Sequence, residues 1–160
     1  MSQKITPFIW FIKDAETAVK RYVSLFPNSK IIGTTPAPEG VPGIPAGEVM
    51  TVEFELNGQP FTALNGGPDV FEPSGQISFV IHCADQAEVD HYWDALLEDG
   101  TPSQCGWLTD RFGVTWQVTP DRLMELMQDP DREAAQRVMD AMMQMVKLDI
   151  PTLEKAYAGS

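Results

Sequence analysis

A glutamate on an alternating segment is the side chain of this sequence best placed to act as a base. Glu53 shares one side of the segment Glu48 to Leu56 with Thr51, whereas Val52 and Phe54 lie on the other side, because side chains alternate along an extended backbone. If the polar side lines a partly dry pocket, Glu53 is the candidate general base. If that side faces water, its carboxylate is an ordinary solvated group, and the sequence leaves both alternatives open.

Histidine and cysteine add few catalytic candidates. His82 ends a strand-like segment, where it could carry a proton into a pocket or could simply bond a nearby carbonyl. Cys83 and Cys105 fit no zinc or dithiol spacing, so we expect reduced thiols on two separate strands. Because no Ser-His-Asp or Cys-His order stands out, the sequence does not indicate nucleophilic catalysis.

The segment Cys105 to Gln117 predicts a tight hairpin. Asp110 can bond its own backbone in the turn, and Gly113 can adopt a positive φ without steric cost. On the second strand Trp116 falls on an apolar side and Gln117 on a polar side. The pattern therefore indicates a curved sheet with one side in a core and the other forming the polar floor of a pocket.

Aromatic and amide side chains could line such a pocket. The aromatic candidates are Trp107, Phe61, Phe11 and Trp10. They suit a flat or apolar small molecule, although packing in a core explains them equally well. Asn65 and Gln117 could bond such a ligand or only the protein's own backbone, and the sequence does not decide between these roles.

Composition excludes several classes of partner. The chain has 160 residues and a formal net charge of −12, which repels phosphate backbones and anionic lipids, so neither nucleic acid nor a membrane surface is expected to bind. The longest apolar runs are shorter than the roughly 18 residues that a spanning helix needs. The first residues also lack an export-signal pattern, which predicts a cytoplasmic location.

Two stretches of the chain repeat the same order of elements. The segment Ile5 to Ile12 predicts a strand covered on both faces, Asp14 predicts the start of a helix, and Asn57-Gly58 predicts a hairpin turn between strands at Glu48 to Leu56 and Pro60 to Leu64. A second strand, Ile77 to Cys83, and a second helix start at Asp85 follow. An offset of 71 residues places Asp14 on Asp85 and Phe8 on Phe79. We interpret this as an internal duplication of a β-α-β-β-β unit.

Loops and helices occupy the remainder. The proline-rich loops at 33–47 and 66–75 could cover a pocket or could be plain surface excursions. After Pro120 the pattern predicts helices at about 121–127, 130–147 and 150–157, the last two starting at Asp129-Pro130 and Asp149-Ile150-Pro151. Six of the eight methionines lie between Met124 and Met145, an arrangement typical of core or dimer packing.

The repeated units and several motifs resemble a known family. The motifs are Cys105 to Gln117, Asn65-Gly66-Gly67-Pro68, Ile77-Ser78-Phe79, Arg137-Val138-Met139 and Lys147-Leu148-Asp149-Ile150. With them the chain resembles the PhnB-like, demethylubiquinone-methyltransferase-like branch of the vicinal-oxygen-chelate superfamily, which includes glyoxalase I, extradiol dioxygenases and the bleomycin and fosfomycin resistance proteins. The resemblance implies two modules that close around a central cup, usually in a homodimer.

The resemblance also implies where a metal would bind in metal-using relatives. The four corresponding positions are Pro7, Leu64 or Asn65, Ser78 and Gln117. Zinc and nickel prefer imidazole, thiolate or carboxylate donors, so this set predicts no bound metal; a shift of one residue would instead bring in Gln76 or Glu53. A methyltransferase activity also fits badly, because no strand, Gly-x-Gly and helix unit for a nucleotide cofactor is present.

These observations give one preferred hypothesis with two alternatives. The fold class is α+β, with paired β-α-β-β-β modules at about 4–66 and 75–120 forming a cupped mixed sheet in a single domain, followed by C-terminal helices at about 121–158. We expect a cytoplasmic homodimer that binds a small molecule without a metal or other cofactor. Glu53 and Gln117 are the catalytic candidates, and the ligand-binding candidates are Phe61, Asn65, Ser78, His82, Trp107 and Gln117. The alternatives are a metal-assisted lyase, isomerase or dioxygenase, and a drug-sequestering resistance protein.

Overall fold

The computed structural model describes residues 4–68 and 75–160. The chain divides into two compact units, Met1–Glu72 and Pro73–Ser160. The loop predicted at 66–75 lies mostly outside the described residues, including Phe71 and Pro73, so its proposed covering role stays a prediction. No helix in the described ranges is long and apolar enough to cross a membrane.

The first unit is a four-stranded mixed sheet with one helix. Its elements are β1 (Phe8–Phe11), α1 (Ala15–Leu25), β2 (Lys30–Pro36), β3 (Val49–Leu56) and β4 (Gln59–Asn65). The strand order is β1-β4-β3-β2, with β1 parallel to β4 and the other neighbours antiparallel. The predicted turn is confirmed: Asn57 and Gly58 have φ values of 48° and 80°, as a two-residue hairpin turn of the I′ type requires. Strand β2 runs four residues into the predicted loop 33–47, with irregular register at Pro36.

Helix α1 covers one side of this sheet and leaves the other side open. Val52, Phe54 and Ala63 are fully buried on the helix side with Tyr22 of the helix. The uniformly apolar sequence of strand β1 predicted that both of its faces are covered, and this prediction was wrong. Phe11 is buried on the helix side, whereas Phe8 and Trp10 are exposed on the open side. Sequence periodicity failed here because both sides of the strand are apolar.

The second unit repeats this arrangement. Its elements are β5 (Phe79–Cys83), α2 (Gln86–Leu97), β6 (Thr101–Pro102), β7 (Trp107–Thr109) and β8 (Thr115–Pro120). The strand order is β5-β8-β7-β6, and β5 is parallel to β8, so each strand has the same neighbours as its counterpart in the first unit. This shared topology is what the predicted duplication requires. Cys105 lies in the turn before β7, not on a strand as expected.

The offset of 71 residues holds for the helices but not for the first strands. It aligns the helix starts at Asp14 and Asp85. It also aligns Phe8 with Phe79, but Phe8 lies on the open side of its sheet, whereas Phe79 packs against Trp116 on the helix side. The strands match at an offset of 72, because the link from strand to helix is one residue longer in the first unit. A one-residue shift moves a strand's side chains to the opposite face.

Three helices complete the second unit. They are α3 (Asp121–Met127), α4 (Arg132–Met142) and α5 (Ile150–Ala158), and Leu123, Leu126, Val138, Leu148 and Leu153 form their buried core. Helix α4 starts and ends inside its predicted range 130–147. Its N-cap is Asp131, whose side chain accepts a bond from Ala134 N, and it ends at Met142. The buried face of α4 is alanine and valine, while Met142 and Met145 only pack on the edge of the core.

The segment between α4 and α5 is tied to the rest of the second unit. Cys105 N donates to Met145 O (2.9 Å) and Gly106 N donates to Val146 O (2.8 Å). The Gln86 side chain bonds the backbone at two further points, donating to Leu148 O (3.1 Å) and accepting from Ile150 N (2.7 Å). These bonds fix the C-terminal helices to the start of α2 and to the turn before β7.

The two corresponding helix starts are capped in different ways. Asp85 accepts a bond from Glu88 N (2.9 Å), as the sequence predicts. Asp14 occupies the same place on α1 but makes no side-chain cap bond. Instead, Asn65 at the end of β4 accepts from Ala15 N (2.9 Å) and donates to Val49 O (3.0 Å). Asn65 therefore joins α1, β3 and β4.

Substitutions at these three positions should separate the two capping modes. We expect Asp85→Ala to lower the free energy of unfolding by about 1 kcal/mol, because one helix N–H loses its acceptor. Asn65→Ala should cost about 2 kcal/mol, because it removes two partly buried bonds. Asp14→Ala should stay within about 0.5 kcal/mol of wild type and is the matched control. Urea denaturation followed by circular dichroism measures all three. Equal losses at Asp14 and Asp85 would contradict this assignment.

Candidate functional site

The open side of the second sheet gathers most of the predicted binding residues. Helix α2 covers the side that carries Ile81, Trp116 and Val118, all buried. Because side chains alternate, the opposite side carries Ser78, Val80 and His82 from the β5 segment, Trp107 and Thr109 from β7, and Thr115 and Gln117 from β8. The hairpin pattern predicted this separation of the two sides correctly.

Two of these residues form a polar pair with spare hydrogen-bonding capacity. Gln117 Nε2 donates to Ser78 Oγ at 2.9 Å. Within the described ranges, Gln117 Oε1 has no protein partner, and the Ser78 hydroxyl can still donate its hydrogen. Trp107 is the cross-strand neighbour of Gln117, and no described residue accepts a bond from its indole N–H. The face therefore offers three donors to a ligand, the Ser78 hydroxyl, the second Nε2 hydrogen of Gln117 and the Trp107 indole N–H, and one amide acceptor, Gln117 Oε1.

A groove lies beside this pair. It has a volume of ≈ 230 Å³ and is lined by Gly75, Ser103, Trp107, Leu108, Thr109, Gly113 and Thr115. Trp107 links the groove to Gln117, because the two residues are directly opposite on neighbouring strands. The side chains of the described lining residues are neutral: three hydroxyls, one indole and one leucine. Such a surface suits an uncharged molecule with a flat ring.

A buried carboxylate holds the hairpin that carries this face. Asp110 Oδ1 accepts from Phe112 N (2.9 Å) and Val114 N (3.0 Å), which confirms the predicted turn. Asp110 Oδ2 accepts from the indole N–H of Trp116 at 2.9 Å. Sequence reasoning missed this last contact, although a buried tryptophan usually needs a partner for its N–H. The carboxylate therefore fixes both the turn and the strand next to Gln117.

The histidine and the thiols have little contact with this arrangement. His82 is exposed at the end of β5, with Nδ1 3.6 Å from Asp121 Oδ1 at the start of α3. Cys83 is buried on the helix side, and burial, with smaller contributions from Glu88 and other carboxylates, raises its pKa to about 12. Its thiol stays protonated at neutral pH. Cys105 is partly exposed, with Sγ 3.9 Å from Met143 Sδ.

The candidates in the first unit have different surroundings. Phe61 was predicted to line the pocket. The structure instead places it in the helix-side core, where its ring stacks on Phe54 with 5.4 Å between ring centres. Both ends of the Asn65 amide are bonded to backbone, so its observed role is to join elements. Glu53 is exposed on the open side, opposite Thr62 of β4.

Comparison with known proteins identifies the family. The family described as 3-demethylubiquinone-9 3-methyltransferase matches residues 3–119. The chain belongs to this family. A solved structure described as a putative 3-demethylubiquinone-9 3-methyltransferase, PhnB protein, from Bacillus cereus is 33% identical, with a TM-score of 0.66, over 74% of this chain and 99% of that chain. Comparison with curated proteins gave no significant match.

More distant solved structures share the fold of this family. Protein PA1353 from Pseudomonas aeruginosa is 22% identical with a TM-score of 0.62, over 74% of this chain and 98% of that one. The fosfomycin resistance protein FosX from Listeria monocytogenes is 11% identical with a TM-score of 0.55, over 81% and 99%. The family therefore shares the glyoxalase and bleomycin-resistance fold, as the sequence motifs predicted. The C-terminal helices lie beyond the family match.

The family name suggests a methyl-donor cofactor, and the residues present do not fit one. A nucleotide end needs a glycine-rich turn between a strand and the following helix. In this PhnB-like chain the two such turns read Ile12-Lys13-Asp14 and Ala84-Asp85, without glycine. Each sheet is also a mixed four-stranded sheet, not a doubly wound parallel one. The family name therefore does not describe a chemistry that these elements support.

The resemblance implied a metal position in metal-using relatives, so the chemistry of the residues there decides whether a metal fits. The strand register makes Thr6 the counterpart of Ser78 and Thr62 the counterpart of Gln117, whereas the resemblance implied Pro7 and Leu64 or Asn65. Three hydroxyls and one amide are weak ligands for zinc or nickel. Within residues 4–68 and 75–160, no three His, Cys, Asp or Glu side chains cluster in a way that could hold a metal ion. These residues do not fit a resident metal.

Proposed function

We propose that this PhnB-like protein binds a small, uncharged, planar organic molecule on the open side of its second sheet, without a metal. The observation that carries the proposal is the Gln117–Ser78 pair beside Trp107, since it leaves one acceptor and two donors free next to an indole ring. The ring of the ligand would stack on Trp107, and Gln117 and Ser78 would orient its polar group.

The chemistry of the lining supports an uncharged ligand. Among the described residues, the groove presents hydroxyls and an indole ring but no charged side chain. A buried charge without a partner is costly, so an ionic ligand would lose more solvation than this lining replaces. His82, at the end of β5 with Nδ1 3.6 Å from Asp121 Oδ1, could contact a longer ligand at the edge of the face.

The assembly and location of the protein are part of the same proposal. We infer a cytoplasmic homodimer from the family resemblance. Exposed apolar side chains on β1, including Phe8, are consistent with a second copy packing nearby. Light scattering at several protein concentrations measures the oligomeric state.

Mass spectrometry of copurifying molecules tests the binding function. The protein is purified gently and denatured, and the released small molecules are compared between variants. Gln117→Ala and Trp107→Ala should each reduce the retained amount at least about fivefold, because each removes a specific contact. Gln128→Ala, the same change at an exposed position after α3, is the matched control.

Equal retention by Gln117→Ala and the Gln128→Ala control would show that the site lies elsewhere. Elemental analysis of the same preparations provides an independent check. One tightly held divalent ion per chain would contradict the metal-free part of the proposal, since hydroxyls and one amide do not retain such an ion through purification.

A further inference from the structure

The segment between α4 and α5 bonds the turn that leads into Trp107. Two consecutive carbonyls of this segment accept from consecutive N–H groups of the turn. Met145 O accepts from Cys105 N at 2.9 Å, and Val146 O accepts from Gly106 N at 2.8 Å. Strand β7 begins at the next residue, Trp107, so these bonds fix the backbone from which the indole ring projects.

The backbone of this turn needs outside support. Cys105 and Gly106 have φ values of 60° and 84°, and the left-handed region is unfavourable for a cysteine. Such a conformation persists only where surrounding contacts hold it. The bonds to Met145 O and Val146 O are contacts of this kind, because each fixes the N–H of one turn residue. Their loss would let the turn relax and would move the start of β7.

Side chains of α2 hold the same segment from its other end. Gln86 Nε2 donates to Leu148 O at 3.1 Å, and Gln86 Oε1 accepts from Ile150 N at 2.7 Å. Gln86 Nε2 also donates to Asp90 Oδ1 at 3.0 Å, one turn further along α2. Asp90 Oδ1 lies 2.8 Å from Lys147 Nζ, which adds an ion pair to the segment. We refer to Gln86, Asp90 and Lys147 as the α2 clamp.

Gln86 is the central member of the α2 clamp. Its amide makes three bonds, and its loss would leave two partly buried backbone groups, Leu148 O and Ile150 N, without their side-chain partner. Gln136 on α4 forms a similar pair along its own helix, donating to Asp140 Oδ1 at 2.9 Å. That pair is exposed and joins two residues of one helix. Only the pair on α2 therefore connects its helix to the segment that bonds the turn.

We propose that Gln86 is a positioning residue for Trp107, and that the segment between α4 and α5 is thereby a part of the binding site. The α2 clamp holds this segment, the segment holds the turn before β7, and the turn sets the place of the indole ring opposite Gln117. The effect on binding rests on the proposed function, whereas the effect on the position of Trp107 does not. The segment lies beyond residues 3–119, which match the family, so the C-terminal helices adjust the binding face in this chain.

The NMR signal of the Trp107 indole N–H, assigned with Trp107→Phe, tests the positioning role in the complete protein without a ligand. We expect Gln86→Ala to move this signal at least about twice as far as that of Trp116, on the helix side of the same sheet. Gln86→Glu keeps an acceptor for Ile150 N and should cause a smaller shift in the same direction. Gln136→Ala is the matched control and should move neither signal. An unchanged Trp107 signal in both Gln86 variants, or equal shifts of both tryptophans, would overturn the proposal.

Benzamide, a flat and uncharged amide, tests the effect on binding. It should bind the unmodified protein in the millimolar range and bind Gln86→Ala about threefold more weakly, because the indole ring is no longer held in place for it. Equal affinities of Gln86→Ala and Gln136→Ala would overturn the link between the α2 clamp and binding. Absence of saturable binding, or undiminished binding to Gln117→Ala, would instead contradict the proposed function. A Trp107 shift confined to the Gln86 variants would still support the positioning role in that case.

Discussion

Asp110→Ala is expected to lower the free energy of unfolding by about 4 kcal/mol. The Asp110 side chain is 6% exposed and accepts bonds from two backbone N–H groups and from the Trp116 indole N–H. Alanine would leave these donors without an acceptor, and the Val114 and Trp116 donors are buried. Bonds to a charged acceptor contribute more than neutral ones, and unsatisfied donors add a desolvation penalty.

Trp116→Phe shows how much of the free energy lost in Asp110→Ala comes from the bond between Asp110 and the Trp116 indole. Phenylalanine keeps the ring on the helix side but removes the N–H, so Asp110 retains its two backbone bonds. Urea denaturation of both single variants and the double variant gives the interaction energy of the pair. A value near zero would show that the bond between Asp110 and Trp116 contributes nothing. An Asp110→Ala loss below about 1 kcal/mol would mean that the hairpin is held by other contacts.

Gly106→Ala is expected to cost about 3 kcal/mol and to loosen the C-terminal helices. Gly106 has a φ of 84°, and an added Cβ would lie 2.8 Å from Val118 O and 2.9 Å from Leu148 Cδ1. The first contact is with backbone, and the second is with a fully buried core residue, so neither neighbour can move freely. Gly106 N also bonds Val146 O, one of the ties that fix the segment before α5.

Gly113→Ala separates backbone strain from steric conflict. Gly113 has a φ of 89°, but a Cβ there meets nothing within 4 Å. The control should therefore lose only about 1 kcal/mol, the cost of the left-handed conformation. Hydrogen exchange of residues 150–158 should rise in Gly106→Ala and not in Gly113→Ala. Equal losses in the two variants would show that the contact with Leu148 is unimportant.

Local sequence signals predicted the elements and their repetition. Alternation separated the two sides of β3 and β8, and the Asn57-Gly58 and Asp110-to-Gly113 turns formed where their residue types predict. The same order of strands and helices occurs twice in the sequence, and this repetition was sufficient to indicate two units of the same topology. These signals are local, because propensity, capping and turn geometry depend on residues close together in the chain.

The sequence alone separated Gln117 from Trp116, because β8 alternates cleanly between polar and apolar residues, whereas only the family resemblance grouped Ser78 with Gln117. Tertiary structure decided the rest. It placed Phe61 in the core and Phe8 on the open side, gave the capping role of Asp14 to Asn65, and set Trp10 over Gly66. These outcomes depend on contacts between residues about 50 positions apart and on which side a helix covers. A strand that is apolar on both sides gives no local signal of which side a helix will cover.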